Sequence, residues 1–361
     1  MELMIFDRQL NYAGLIDGFK SFRKVRRYDK AGAFELHISF SLEVMKLLQL
    51  GNIVWRKGSD EAGYIEYRNI KLAGDGQEML VVKGQSMSGY LGKRIVWGRE
   101  NINGTAENIM RAFVNNHAID PANADRKIPL LKLGELQNYS RDIRKQATYR
   151  NLLEVIHEAA KSSGLGFRTL VDVSSKELVF DIYKGVDRSK KVVFSRAFEN
   201  VLEQEYTEGE DNYRNVALIA GAGEGVERKL VSIGDKTALD RLELYVDAKD
   251  LQDTKTVNDE EVPIPEHEYL ELLVNRGKTK LSEAAKVESF DSKINPRSNL
   301  VYKKDYDLGD IVTVRDNRWG LTVDERITEI EEVYEEDGFN VFVTVGDEPV
   351  GLLEKIKQVV D

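Results

Sequence analysis

Residues 306–345 read as sheet, and that stretch constrains the fold more than any other part of the chain. Ile311, Val312 and Val314 are β-branched and suit a pleated surface, while Leu308-Gly309-Asp310 supplies the turn that lets a strand begin. Phe339, Val341, Val343 and Val345 alternate with other residues, which predicts one shared buried face, and Asp337-Gly338 marks a hairpin turn before them. Ile327, Ile330, Val333 and Tyr334 fit helical spacing as well as a strand. Their β-branching and the turn that follows predict a strand carrying a bulge. Nothing in this stretch is suited to catalysis; it reads as a building part.

A chain of 361 residues exceeds one ordinary core, so two to four domains are expected. With 42% hydrophobic and 32% charged residues it can bury a sizeable interior. The formal net charge of -10 argues against broad affinity for nucleic acid or anionic membrane. Cysteine is absent, which removes disulfide scaffolds, thiolate metal sites and cysteine nucleophiles together. The amino terminus lacks the basic start and apolar core of a secretory signal, and no run approaches about 18 apolar residues. Neither export by signal peptide nor membrane spanning is expected.

The expected fold class is β-rich α+β in several domains. Residues 1–100 form a β-rich region, with strands at 64–72 and 77–84 flanking the hairpin signal Gly74-Asp75-Gly76. Within it Lys20, Arg23, Lys24, Arg26, Arg27 and Lys30 interleave with Phe19, Phe22, Val25 and Tyr28, and the reading is a solvated or subunit-facing strand. After Trp97-Gly98 the pattern changes. Thr105 caps a helix with Ile109, Met110, Phe113, Val114 and His117 on one face, ended by Pro121. A second helix spans about 148–163, with Gly164 at its carboxyl end, and a hairpin covers 167–185. Residues 101–185 are thus a small α+β domain. A second β-rich domain takes 186–248 plus 288–348. Its insertion, 249–287, is an acidic surface excursion followed by one long helix opened by Pro265 with a weak point at Gly277. A short helix is expected over 349–361.

No constellation for chemistry emerges, so no catalytic, cofactor-binding or metal-ligating residue is assigned and the chain is read as no enzyme. Gly221-Ala-Gly-Glu-Gly225 resembles a phosphate cradle in composition, but a strand, not a helix, is expected after it. The acidic stretch at Asp250, Asp253, Asp259, Glu260 and Glu261 lacks the central glycine of a calcium loop. His37, His117, His157 and His267 are widely separated. Asp324, Glu325, Glu329, Glu331, Glu332, Glu335 and Glu336 crowd one segment, which reads as a solvated face and not as an acid–base pair.

The order of parts, with Leu239-Asp-Arg-Leu-Glu-Leu-Tyr-Val-Asp247, the Gly221–Gly225 turn after Asn215-Val-Ala-Leu-Ile219, and Tyr306-Asp-Leu-Gly-Asp-Ile-Val-Thr-Val314 leading to Arg326-Ile-Thr-Glu-Ile330, resembles the tail-hub (baseplate hub, tail-associated) proteins of siphovirus-like phages and prophages. The resemblance implies two barrel-like β domains per chain, and three chains as a homotrimeric ring of six similar units at the virion tail tip. Implied partners are further copies of the chain, the tail tube or distal tail protein, tip or fibre proteins, and DNA passing without specific binding. No repeated motif marks the two β regions, so any pseudo-symmetry must lie in shape. Many longer relatives continue into a fibre, receptor-binding part or peptidoglycan hydrolase; a chain stopping at Asp361 implies that such activities come from separate subunits. The acidic run 324–337 is expected to line the channel and repel DNA. The alternatives are a cell-wall hydrolase, needing paired carboxylates of unlike pKa, and a glycan-binding module using exposed aromatics.

Overall fold

The computed structural model describes residues 1–347 apart from 73, 75, 258, 259 and 337. Strands dominate. The first region holds β1 (Leu3–Phe6), β2 (Tyr12–Ile16), β3 (Ser21–Arg27), β4 (Ala33–Ser39), the short helix α1 (Leu42–Leu47), β5 (Ile53–Arg56), β6 (Ala62–Leu72) and β7 (Glu78–Ser86). Alternating burial along β3 and β4 puts Phe22, Phe34, Leu36 and Ile38 into one core with Leu3, Ile5 and Leu80.

The α+β region follows with β8 (Arg99–Thr105), α2 (Ala106–Val114), β9 (Leu131–Leu133), β10 (Asp142–Thr148), α3 (Leu152–Ser163), β11 (Gly166–Asp172) and β12 (Glu177–Tyr183). Thr105 caps α2 by accepting from the Asn108 amide, and Ile109, Met110, Phe113 and Val114 are buried as their spacing predicts. The second helix starts later than its periodicity suggests, because Asn151 is the residue whose side chain caps the Leu153 and Glu154 amides; Gly164, at φ 70, closes it.

The last region holds β13 (Val193–Phe194), β14 (Val201–Gly209), β15 (Val216–Ala220), β16 (Leu230–Ile233), β17 (Glu243–Asp247), β18 (Thr254–Val257), β19 (Glu260–Pro263), α4 (Glu266–Glu283), β20 (Val287–Ile294), β21 (Ile311–Asp316), β22 (Leu321–Glu335) and β23 (Gly338–Asp347). The acidic excursion is more ordered than expected, since β18 and β19 pair as a hairpin. The long helix is continuous through Gly277, and that glycine is a packing device more than a weak point. A Cβ there would lie 2.5 Å from Ile219 and 2.9 Å from Ile233, so its absence lets α4 settle onto the β15–β16 face. The strand with a bulge is present as β22, whose register against β23 shifts between Ile327 and Glu329. The expected terminal helix lies outside the described residues, as do Asp75 and Asp337 of the two hairpin turns.

One 13-stranded sheet joins the first and last regions, in the order β14-β20-β23-β22-β3-β4-β7-β6-β5-β1-β2, with β21 beside β22 and β13 beside β21. Each half of it is an arc that follows the same path. Taken in chain order, β1, β3, β4, β5, β6 and β7 are arranged second, third, sixth, fifth, fourth, first; β13, β14, β20, β21, β22 and β23 repeat that arrangement. The correspondence extends to a bulge between fifth and sixth strands in both arcs, at Ile65/Tyr67 and at Ile327/Glu329. It departs at the first strand, antiparallel to its neighbour in one arc and parallel in the other.

Among the described residues no sheet closes into a barrel. The ends of each arc, β2 with β3 and β13 with β14, are consecutive in the chain yet form no backbone ladder. At the second gap the buried Asn200 side chain takes the ladder's place, donating to the Val193 carbonyl and accepting from the Ser195 amide, both at 2.8 Å. Besides the arc cores, one hydrophobic cluster fills the α+β region and reaches into the first region through Phe6, Ile53, Ala62 and Tyr64, and another lies between α4 and the β16-β15-β17 sheet.

Filling the Gly277 notch tests this packing. Gly277→Val should lower unfolding stability by about 2 kcal/mol, although glycine is itself a poor helix former. Denaturant melts giving equal or higher stability would show that α4 does not depend on that close approach.

Candidate assembly site

The basic and acidic runs, far apart in sequence, meet as neighbouring strands. β22 pairs with β21 over its first part and then, past the bulge, with β3, in a register that sets Glu329 opposite Arg27, Glu332 opposite Lys24 and Tyr334 opposite Phe22. On the outer face Arg27 Nε donates to Glu329 at 2.6 Å and Arg23 Nε donates to Glu331 at 2.8 Å. β3 is therefore an interior strand of the sheet, and the solvated or subunit-facing reading is corrected for Lys24 and Arg26, which are buried, while Lys20, Arg23 and Lys30 are exposed. The acidic run is corrected in part: Glu329, Glu331 and Glu332 are answered by cations, while Asp324, Glu325, Glu335 and Glu336 stay exposed.

Beneath the seam lies a buried ionic cluster that gathers all three regions. Arg26 Nε donates to Glu61 at 2.9 Å, and its Nη1 donates to the Tyr302 hydroxyl at 2.8 Å and to Asp307 at 2.6 Å. Lys24 Nζ donates to Ser59 Oγ at 3.0 Å, and Glu332 accepts from Tyr302 at 2.9 Å and Tyr334 at 3.0 Å. The α+β region contributes Tyr183 and the Arg168–Asp181 pair at 2.8 Å. Burial alone would raise the Glu61 carboxyl, but the Arg26 and Lys24 charges and the Arg26 hydrogen bond bring it down from 4.5 to about 2. Glu332 is lowered in the same way, burial being outweighed by Lys24 and Lys303. Burial lowers Lys24, against the pull of Glu61 and Glu332. A second cluster repeats the device inside the α+β region and reaches α4 through Lys280, 3.5 Å from Glu158. Glu158 of α3 meets Lys145 at 2.5 Å and both arms of Arg150 at 2.7 and 2.8 Å, which overcome burial and hold its carboxyl well below the usual range.

These groups fasten one region to another. Tyr28, just past β3, does so by shape: its hydroxyl donates to the Gly164 carbonyl at 3.0 Å, and Gly166 and Gly309 leave room for its ring, each with a would-be Cβ 2.4 Å away. A cleft of about 790 Å³ runs between β10 and α4; of the cations in its wall, Arg276 is engaged with both oxygens of Asp250 at 2.8 and 2.9 Å, Arg144 with Glu271 at 3.1 Å and Lys145 with Glu158.

The residues weighed for chemistry stay apart. His37 contacts Glu35 at 2.5 Å, His117 contacts Glu100 at 2.5 Å, His157 meets the Asp29 carbonyl at 2.7 Å, and His267 is exposed in the first turn of α4. Among the described residues no group of three or more histidine, aspartate or glutamate side chains could hold a metal ion. The Gly221–Gly225 turn packs on α4, the Ala222 amide donating to the Tyr269 hydroxyl at 2.6 Å, and β16 follows it. Among the described carboxyls with a resolved shift, Asp291 alone is pushed up, by burial and by Glu205 opposite, against a hydrogen bond from Thr344; it lies on the sheet surface and lines no large cleft. The seam escaped sequence reading because each run was weighed alone; their opposite signs were the signal that pairs them.

Residues 2–347 match the family model of the siphovirus ReqiPepy6 Gp37-like protein. No curated protein matches. Among solved structures the fold is similar to the 43 kDa tail protein of prophage MuSo2 from Shewanella oneidensis, at 16% identity and TM-score 0.59, covering 96% of this chain and 98% of that one. It is similar to a tail protein from Neisseria meningitidis MC58, at 14% identity and TM-score 0.57, covering 96% and 97%. Prophage tail protein gp18 from Listeria monocytogenes EGD-e is similar at 11% identity and TM-score 0.53, covering 100% and 98%.

The seam predicts an acid-labile joint. A carboxyl held below its ordinary value stabilises the fold at pH above about 4.5, and that contribution is lost as pH falls toward about 2. Glu61→Gln should therefore cost on the order of 3 kcal/mol near neutral pH and flatten the fall in stability below about pH 5. Parallel stability–pH curves for the two proteins would contradict that assignment.

Proposed function

The chain belongs to the family of siphovirus ReqiPepy6 Gp37-like proteins, and from that premise we propose that it is a structural hub subunit of a phage or prophage tail, joining the tail tube to the tip as a ring of three chains. The observation that carries this reading is the repeated arc. One chain supplies two β units with the same strand path, so three chains supply six wall segments, the number a six-fold tube needs. Likeness to tail proteins from three bacteria along nearly the whole chain supports the tail setting.

In this reading each arc is a barrel-like wall segment, and the buried ionic cluster holds its two arcs at one angle. The four exposed carboxylates at Asp324, Glu325, Glu335 and Glu336 are the part of the acidic run still able to face a lumen, where they would repel passing DNA. The α+β region and the helix insertion project from the walls toward tube, distal tail, tip or fibre proteins. A cell-wall hydrolase is the less favoured reading, because a general acid needs a raised pKa whereas the buried glutamates are held ionised.

Light scattering and particle imaging test the hub. The expected result is a mass of three chains and a ring with a central hole; a monomer at every concentration, alone and with tube protein, would remove the ring.

A further inference from the structure

The α+β region carries a surface that the seam does not use. Trp97 is 64% exposed and Tyr149 68%. The Ile95–Asn151 bridge, with Val96 N donating to Arg150 O at 2.8 Å and Tyr149 N to Gly98 O at 3.3 Å, sets the two aromatics opposite each other on joined segments. Tyr149 has φ 52, a conformation that costs a bulky residue energy and is held here by the Gly98 hydrogen bond. Arg126 stacks over the Trp97 ring at 4.8 Å and donates to the Ile95 carbonyl at 2.5 Å. Arg94 donates to the Arg126 carbonyl at 2.5 Å. The described polar partners of both guanidiniums are backbone carbonyls, so their charges go unneutralised on a chain of net charge -10. Trp, Tyr and Arg held on a rigid platform are the residues that dominate binding energy at protein interfaces.

We propose that this platform docks the free edge of β14 from a second copy of the chain. Among the described residues β14 ends the 13-stranded sheet with β20 as its one ladder partner, Asn200 just before it being held to Val193 and Ser195. It exposes Leu202, at 52%, beside Glu203, Glu205 and Glu208. An apolar side chain flanked by carboxylates complements aromatic rings flanked by guanidiniums, and the contact also covers an open strand edge. It is heterologous, platform of one copy to edge of the next, the type of contact that builds a closed ring of three when each step turns by a third of a circle. The inference rests on the ring reading and adds which surfaces meet.

Concentration-dependent light scattering of the full chain tests it. Arg94→Glu with Arg126→Glu should raise the concentration of half-assembly about tenfold or more, and Glu203→Lys with Glu205→Lys should do the same. All four substitutions in one chain should restore assembly to within about threefold of the original, which no folding defect would do. Trimers that persist in both charge variants, or losses that add without rescue, would overturn this contact and leave the ring standing. A chain that never assembles removes both. Binding of an oligothymidylate that is lost in the arginine variant while the trimer is kept would assign the platform to nucleic acid and overturn the proposal.

Discussion

The guanidinium of Arg26 is the point on which the architecture depends. It sits on a strand of the first arc, bonds the carboxylate that precedes β6, and reaches the second arc through Tyr302 and Asp307. A buried arginine is tolerated only when its donors are met by fixed acceptors, and these acceptors come from segments hundreds of residues apart. The cluster adds less net stability than its charges suggest, because each ion has lost its water. What it supplies is uniqueness. Sliding β22 along β3 by one residue would turn Glu332 outward and bury Glu331 or Val333 in its place, and a slide of two would leave Arg26 and Lys24 facing the wrong partners.

Around that joint the molecule separates two tasks. Apolar cores within each arc, such as Phe290, Ile327, Ile330 and Val343 in the second, hold the walls. Polar groups hold the walls to one another: the Arg26 cluster between arcs, Tyr28 and Glu158 toward the α+β region and the α4 insertion. The α+β region is also held to the first arc by apolar burial, Phe6, Ile53, Ala62 and Tyr64 sharing one core with Ile109, Phe113 and Leu152, and the polar cluster adds direction to that packing.

Local pattern carried much of this to the reader of the sequence. Alternation at Val341, Val343 and Val345, the Thr105 cap, Gly164 and the bulged strand at Ile327 all express their structure within a few residues and stand as read, whereas Phe339, expected on the same buried face, is exposed beside the turn. The helix through Gly277 was legible too, but the glycine's purpose was not, because Ile219 and Ile233 reach it from elsewhere in the chain. The same holds for the candidate assembly site. Lys24 and Arg26 looked like surface residues because the strand that buries them begins some three hundred positions later. The repeated strand path left no trace in residue identity, since a path is set by where buried faces fall and many sequences meet that condition.

The β3–β22 pairing has a mechanical consequence. Its backbone bonds run continuously from one arc into the other, so the arcs share no pliable linker, and tilting one against the other must break a row of bonds together with the ions beneath it. The two arcs are therefore tied as one continuous plate, so a displacement at one rim is resisted by the whole row and not absorbed at a hinge.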